Sequence, residues 1–146
     1  MTTNLYVNGS KVTVTDDASV LDAINALGIS IPQLCKDPDM APIGACRTCL
    51  VQVEGQRGFP ASCSIPAREG MNVCTDSAEV IAIRRGVLEL TRAMLPSNNA
   101  HPKNQSFGAL GVAINNHQIP TAKWEPRHRQ ATDKSNPIFN IAMEAC

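Results

Sequence analysis

The chain has 146 residues, with 13 basic and 13 acidic side chains that cancel to a formal net charge of zero. That balance offers no basic face to nucleic acid, and MTTNLYVNGSKV at the start has no apolar signal core, twin arginine or cleavage pattern. No apolar run reaches bilayer length, so the expectation is a cytoplasmic protein, free or at the cytoplasmic face of a membrane complex, with no direct membrane insertion. Aromatic residues are 3% of the chain, which leaves a modest core of Val, Ile, Leu and Ala. A cross-linking metal centre would add usefully to such a core.

Residues 4–15 predict a β-hairpin: Leu5 and Val7 alternate with polar positions, Asn8-Gly9 is a strong turn signal, and Val12 and Val14 resume the alternation. A short helix follows, with Ser19 as N-cap, Asp22 in capping-box position, Val20, Ile24 and Leu27 on one face, and Gly28 as a left-handed stop. Ile29–Ile31 is extended and pinned by Pro32. Residues 34–49 show no periodicity and read as a binding loop. Leu50–Glu54 predicts a strand, Gly55–Pro60 a turn, and Met71–Thr75 a last strand. The sum is an α+β fold, a mixed sheet crossed by one helix, which fits a β-grasp domain over residues 1–76.

A longer helix comes next, with Asp76 as its expected cap, Glu79 at the third position, and Val80, Ile83, Val87, Leu90 and Met94 at helical spacing. From 97 to 137 the chain is rich in Asn, Pro, Gln and His, with a weak apolar run at Ala109–Ile114 and an exposed, mixed-charge stretch at Ala122–Lys134. No repeat is visible.

The chemistry lies in Cys35, Cys46, Cys49 and Cys63, a C-x10-C-x2-C-x13-C array. Six cysteines in a chain without a secretory signal favour metal or redox use over disulfides. Four thiolates in an irregular, small-residue loop favour an iron–sulfur centre, where each iron takes two thiolates and sulfides bridge the irons. A four-cysteine zinc site fits the same count, although such sites usually show two C-x2–4-C knuckles and this chain has one. A thioredoxin-like redox pair would need a helix at Cys46, where the pattern reads loop then strand. Gly44 and Ala45 keep side chains clear, so their amides are placed to bond the sulfides, and Lys36 and Arg47 can offset negative charge. Cys74 alternates within the last strand and reads as a small buried hydrophobe.

Together, LCKDPDMAPIGACRTCLVQVEG and ASCSIPAREGMNVCTD resemble the N-terminal [2Fe–2S] ferredoxin domain of the large iron–sulfur subunit of NADH:quinone oxidoreductase. The same domain opens NAD-dependent formate dehydrogenase alpha subunits and hydrogenase diaphorase-side subunits, and the CRTCLVQVEG wording is nearest to formate dehydrogenase. The resemblance covers residues 4–76 and the 79–95 helix. It implies that Cys35, Cys46, Cys49 and Cys63 ligate a [2Fe–2S] cluster. Family members continue into a one-His-three-Cys segment that holds a [4Fe–4S] cluster. Residues 77–120 correspond to it but keep only His101-Pro102, with Gln105, Gly108 and Ile114 where cysteines would fall. Residues 121–146 resemble the run-up to a bacterial 4Fe–4S ferredoxin motif whose first cysteine would be Cys146, which suggests a truncation there.

The function expected is one-electron transfer within a larger NAD-linked oxidoreductase, with partner subunits or domains carrying iron–sulfur clusters and flavin. No substrate-converting site is visible. The alternative is a zinc-stabilised or metal-free interaction module derived from such a subunit.

Overall fold

Asn8 and Gly9 both adopt positive φ, 49° and 80°, the backbone of a two-residue type I′ turn. They join strand β1 (Thr2–Val7) to β2 (Ser10–Thr15) in antiparallel register, Val7 opposite Ser10. The computed structural model describes residues 1–94, 108–119 and 133–141. Two units are distinguishable, Met1–Val87 and Leu88–Cys146.

In the first unit, helix α1 (Val20–Ala26) carries the expected capping box: the Ser19 hydroxyl accepts from the Asp22 amide, and the Asp22 carboxylate accepts from the Ser19 amide. Its far end closes on Gly28 at φ 70°, with the Gly28 amide on Asn25 O and the Ile29 amide on Ile24 O. These are the two bonds of a Schellman stop. Val20, Leu21, Ala23 and Ile24 turn inward from the helix.

The sheet has order β2-β1-β4-β3, with β3 at Gln52–Val53 and β4 at Asn72–Cys74. β1 sits inside the sheet, antiparallel to β2 and parallel to β4, while β3 and β4 are antiparallel. Leu5 and Val7 of β1 are fully buried, whereas Tyr6 between them faces out, 39% exposed. The last two strands are shorter than their apolar patterns suggest. Leu50 leaves the ladder to bridge Ala61, and the Glu54 amide reaches Asn72 O beyond the end of β3.

Helix α2 (Ala78–Met94) departs from expectation in two ways. The Ser77 hydroxyl, not Asp76, takes the Val80 amide at 3.3 Å; Asp76 instead accepts from the Cys74 thiol. The buried residues are Val80, Arg84, Leu88 and Ala93, while Ile83, Leu90 and Met94 are exposed. The apolar spacing misplaced the face because an arginine occupies the turn between Val80 and Leu88.

In the second unit, the apolar run expected as weak forms helix α3 (Gly108–Asn116), which buries Ala113 and Ile114. It ends as α1 does, with the Ile119 amide on Ile114 O and Gln118 at φ 50° in the glycine-like position. Arg92 Nη1 donates to Ile119 O at 2.8 Å. Asp133 and Ile141 exchange a pair of backbone bonds. His101, Gln105 and Cys146 lie outside the described residues, as does most of Ala122–Lys134; Gly108 and Ile114 lie on α3.

Candidate metal centre

The four cysteines come from two segments that the first unit folds against each other. Gln33, at the entry to the loop, pairs its side-chain amide with that of Asn25 on α1. Cys63 lies in a single 3-10 turn, Ser62–Ser64, and the next residues are tied to the start of α1 by Val20 N to Ile65 O and Ala67 N to Ala18 O. Ser62 binds Cys49 O twice, through its amide at 3.0 Å and its hydroxyl at 2.8 Å. Gly44 closes the arrangement. It is buried at φ 63°, and a Cβ there would stand 2.7 Å from Ser64 Oγ.

The sulfurs are grouped two and two. The Cys46 amide points at Cys35 Sγ, 3.5 Å away, and both residues are half-buried. Cys49 and Cys63 form the second pair, 1% and 3% exposed. Among the described residues no three His, Cys, Asp or Glu side chains converge as one ion would require.

The pairs differ electrostatically. Burial would raise the Cys46 thiol, but bonds from Thr48 and Cys35 hold it below the ordinary thiol value. Thr48 is fully buried; its hydroxyl lies 3.1 Å from Cys46 Sγ and accepts from the Leu34 amide at 3.4 Å. Burial pushes the Cys49 thiol up, with the adjacent Cys63 thiol adding to the rise. Ser64 Oγ is 3.4 Å from Cys63 Sγ.

Thr48, Ser62 and Arg84 were not visible as site residues in the sequence. The first two carry a faint signal, small hydroxyl residues beside cysteines in a tight loop. Arg84 gives none, since one arginine on a helix reads as surface. It is 3% exposed, its Nε donates to Leu50 O at 2.8 Å, and its Nη2 is buried without a hydrogen-bond partner. Of the charges singled out beforehand, Arg47 is exposed at φ 54° and Lys36 is half-buried. Cys74 is half-buried rather than buried, because β4 turns its thiol outward to Asp76.

These residues suit a two-iron, two-sulfide centre. Two paired thiols at each end would supply two ligands per iron, and glycine at position 44 lets the loop lie close against Ser64. The family described as "2Fe-2S iron-sulfur cluster binding domain" matches residues 1–78. The chain is 38% identical to the alpha subunit of the NADPH-Fe(3+) oxidoreductase of Geobacter sulfurreducens, over 98% of this chain and 18% of that protein. It is 42% identical to an NADH-quinone oxidoreductase subunit of Streptomyces coelicolor, over 59% of this chain and 10% of that one. The chain thus spans less than a fifth of the length of these relatives. Among solved structures, a chain of NAD+-reducing [NiFe]-hydrogenase in its H2-reduced state superposes with a TM-score of 0.79 at 27% identity, covering 92% of this chain and 57% of that one. The chain belongs to the family of 2Fe-2S iron-sulfur cluster binding domains, and a [2Fe–2S] cluster is its cofactor.

Proposed function

We propose that this chain is a one-electron relay, one module of a larger NAD(P)H-linked oxidoreductase, with Cys35, Cys46, Cys49 and Cys63 as the ligands. The observation that carries this reading is the two-and-two grouping of the thiols, Cys35 with Cys46 and Cys49 with Cys63. When bound, the [2Fe–2S] group supplies a centre that gains or loses a single electron. The chain's residues fix its place. The Ser62 bonds hold the Cys49 backbone, the Thr48 hydroxyl favours the thiolate of Cys46, and α1 anchors both ends of the site. Cys35 and Cys46 form the edge nearest solvent, where a partner's redox group can approach most closely.

The electron's source and destination are iron–sulfur or flavin groups in partner subunits or domains. No described helix is long and apolar enough to cross a membrane, and we place the module in the cytoplasm. Formate dehydrogenase is the narrowest form of the assignment and rests on the loop wording alone; identifying the native partners tests it.

The first test is to purify the chain anaerobically, assay iron, acid-labile sulfide and zinc, and record EPR after dithionite. About two irons and two sulfides per chain with a reduced-state signal are expected. Zinc without sulfide would replace the relay by a structural module.

A further inference from the structure

Arg84 is the most heavily buried charge among the described residues, and its circumstances are odd for a structural arginine. Its Nε is satisfied by the Leu50 carbonyl, one residue after Cys49. Its Nη2 is buried with no acceptor, and no carboxylate among the described residues forms an ion pair with it. A guanidinium keeps its charge at any ordinary pH, so a buried cation stands here with part of its hydrogen-bonding capacity unused. Burying such a group is strongly unfavourable unless an anion stands near. The groups whose charge acts on it are the Cys49 and Cys74 thiols and the Asp76 carboxylate. Asp76 is exposed and already accepts from Cys74.

We infer that Arg84 is a built-in counter-charge to the buried end of the metal centre, a positioning residue that favours the reduced state by electrostatic attraction. The inference rests on the proposed cysteine ligation. Four thiolates, two sulfides and two ferric irons carry a net charge of about −2, and one added electron makes it about −3. The electron comes from a one-electron donor, a partner's flavin or cluster in the cell and dithionite in the test. No proton need move, because Arg84 is already charged. A fixed cation in a low-dielectric interior stabilises the more negative state more. It also differs from Lys36 and Arg47, whose fields reach the site through or beside solvent and are screened by salt.

The test compares the full chain with Arg84→Gln, which removes the charge, and Arg84→Lys, which keeps it. Iron and sulfide are assayed first, then the midpoint potential is read by EPR-monitored titration at low and high salt. If the wild type lacks iron and sulfide, the ligation reading fails, and this inference with it. With full clusters in all three, Arg84→Gln should shift the reduction equilibrium about tenfold toward the oxidised state, 59 mV for one electron. Arg84→Lys should stay near wild type, and the Gln shift should persist at high salt. Equal potentials in all three would overturn the inference. So would equal shifts in both variants, which would assign the effect to the Leu50 bond. If Arg84→Gln takes up no cluster, urea unfolding of the metal-free chains decides. A metal-free Arg84→Gln more stable than metal-free wild type supports the counter-charge, and a less stable one marks Arg84 as a purely structural bond.

Discussion

The two cysteine pairs are built on opposite terms. Cys35 and Cys46 lie half-exposed on a loop without regular structure, where bonds from Thr48 and Cys35 outweigh burial and hold the Cys46 thiol low. Cys49 and Cys63 are sealed, and burial pushes the Cys49 thiol up. Under the proposed ligation, which requires thiolates, Cys46 gives up its proton more readily than Cys49. The site separates access from insulation along its own length.

The largest effect that would break this comparison is loss of a ligand. Serine at any of the four positions should abolish the visible absorbance. The metal-free proteins should then part company: Cys49→Ser or Cys63→Ser puts a more polar group in a buried position and should cost about 1–3 kcal/mol in urea unfolding. Cys35→Ser or Cys46→Ser should stay within about 0.5 kcal/mol. Unchanged absorbance in Cys49→Ser would remove it from the ligand set.

Next is the close approach of Gly44 to Ser64. Gly44→Ala should destabilise by about 2–4 kcal/mol, combining a left-handed backbone with overpacking against Ser64. Gly58→Ala, with similar φ and open space around it, should lose only about 1–2 kcal/mol. Equal losses would mean that Ser64 yields and the contact does not matter.

The smallest effect sharpens the difference in reactivity. In metal-free protein at neutral pH, iodoacetamide should label Cys46 faster than Cys49 by about tenfold or more, read by peptide mass spectrometry. The sign with pH follows: Cys46 titrates below an ordinary thiol, so its rate levels off first as pH rises, while that of Cys49 is still climbing. Thr48→Val should slow Cys46 labelling near neutrality and leave it unchanged well above about pH 9, where ordinary thiols are ionised.

What could be read from the sequence follows the reach of each interaction. The hairpin rests on Asn8-Gly9 and α1 on Ser19, Asp22 and Gly28, all local signals that bond within a few residues. The cysteine spacing favoured an iron–sulfur centre because the loop supplies three of the four thiols, and the family resemblance narrowed it to [2Fe–2S]. The cap of α2 was missed by one position, since Asp76 and Ser77 are both good caps and only the Cys74 thiol's claim on Asp76 separates them. The pairing of cysteines and the inward turn of Arg84 depend on residues 13 and 34 positions apart. No local pattern carries them. The α3 run was undervalued because Gly108 and Gly111 lower helix propensity, and burial of Ala113 and Ile114 outweighs it.

The parallel pairing of β1 with β4 sets a schedule for synthesis. Tyr6 stands opposite Asn72 and Val7 opposite Val73, so β1 stays without this neighbour until the chain through Val73 has left the ribosome. The hairpin and α1 can form as they emerge, but the sheet that backs the cysteines is completed only after all four have been translated. Iron and sulfide delivered during synthesis would meet loose thiols on an unfinished chain. Faithful loading belongs after release of this stretch, when Cys49 and Cys63 have a wall behind them.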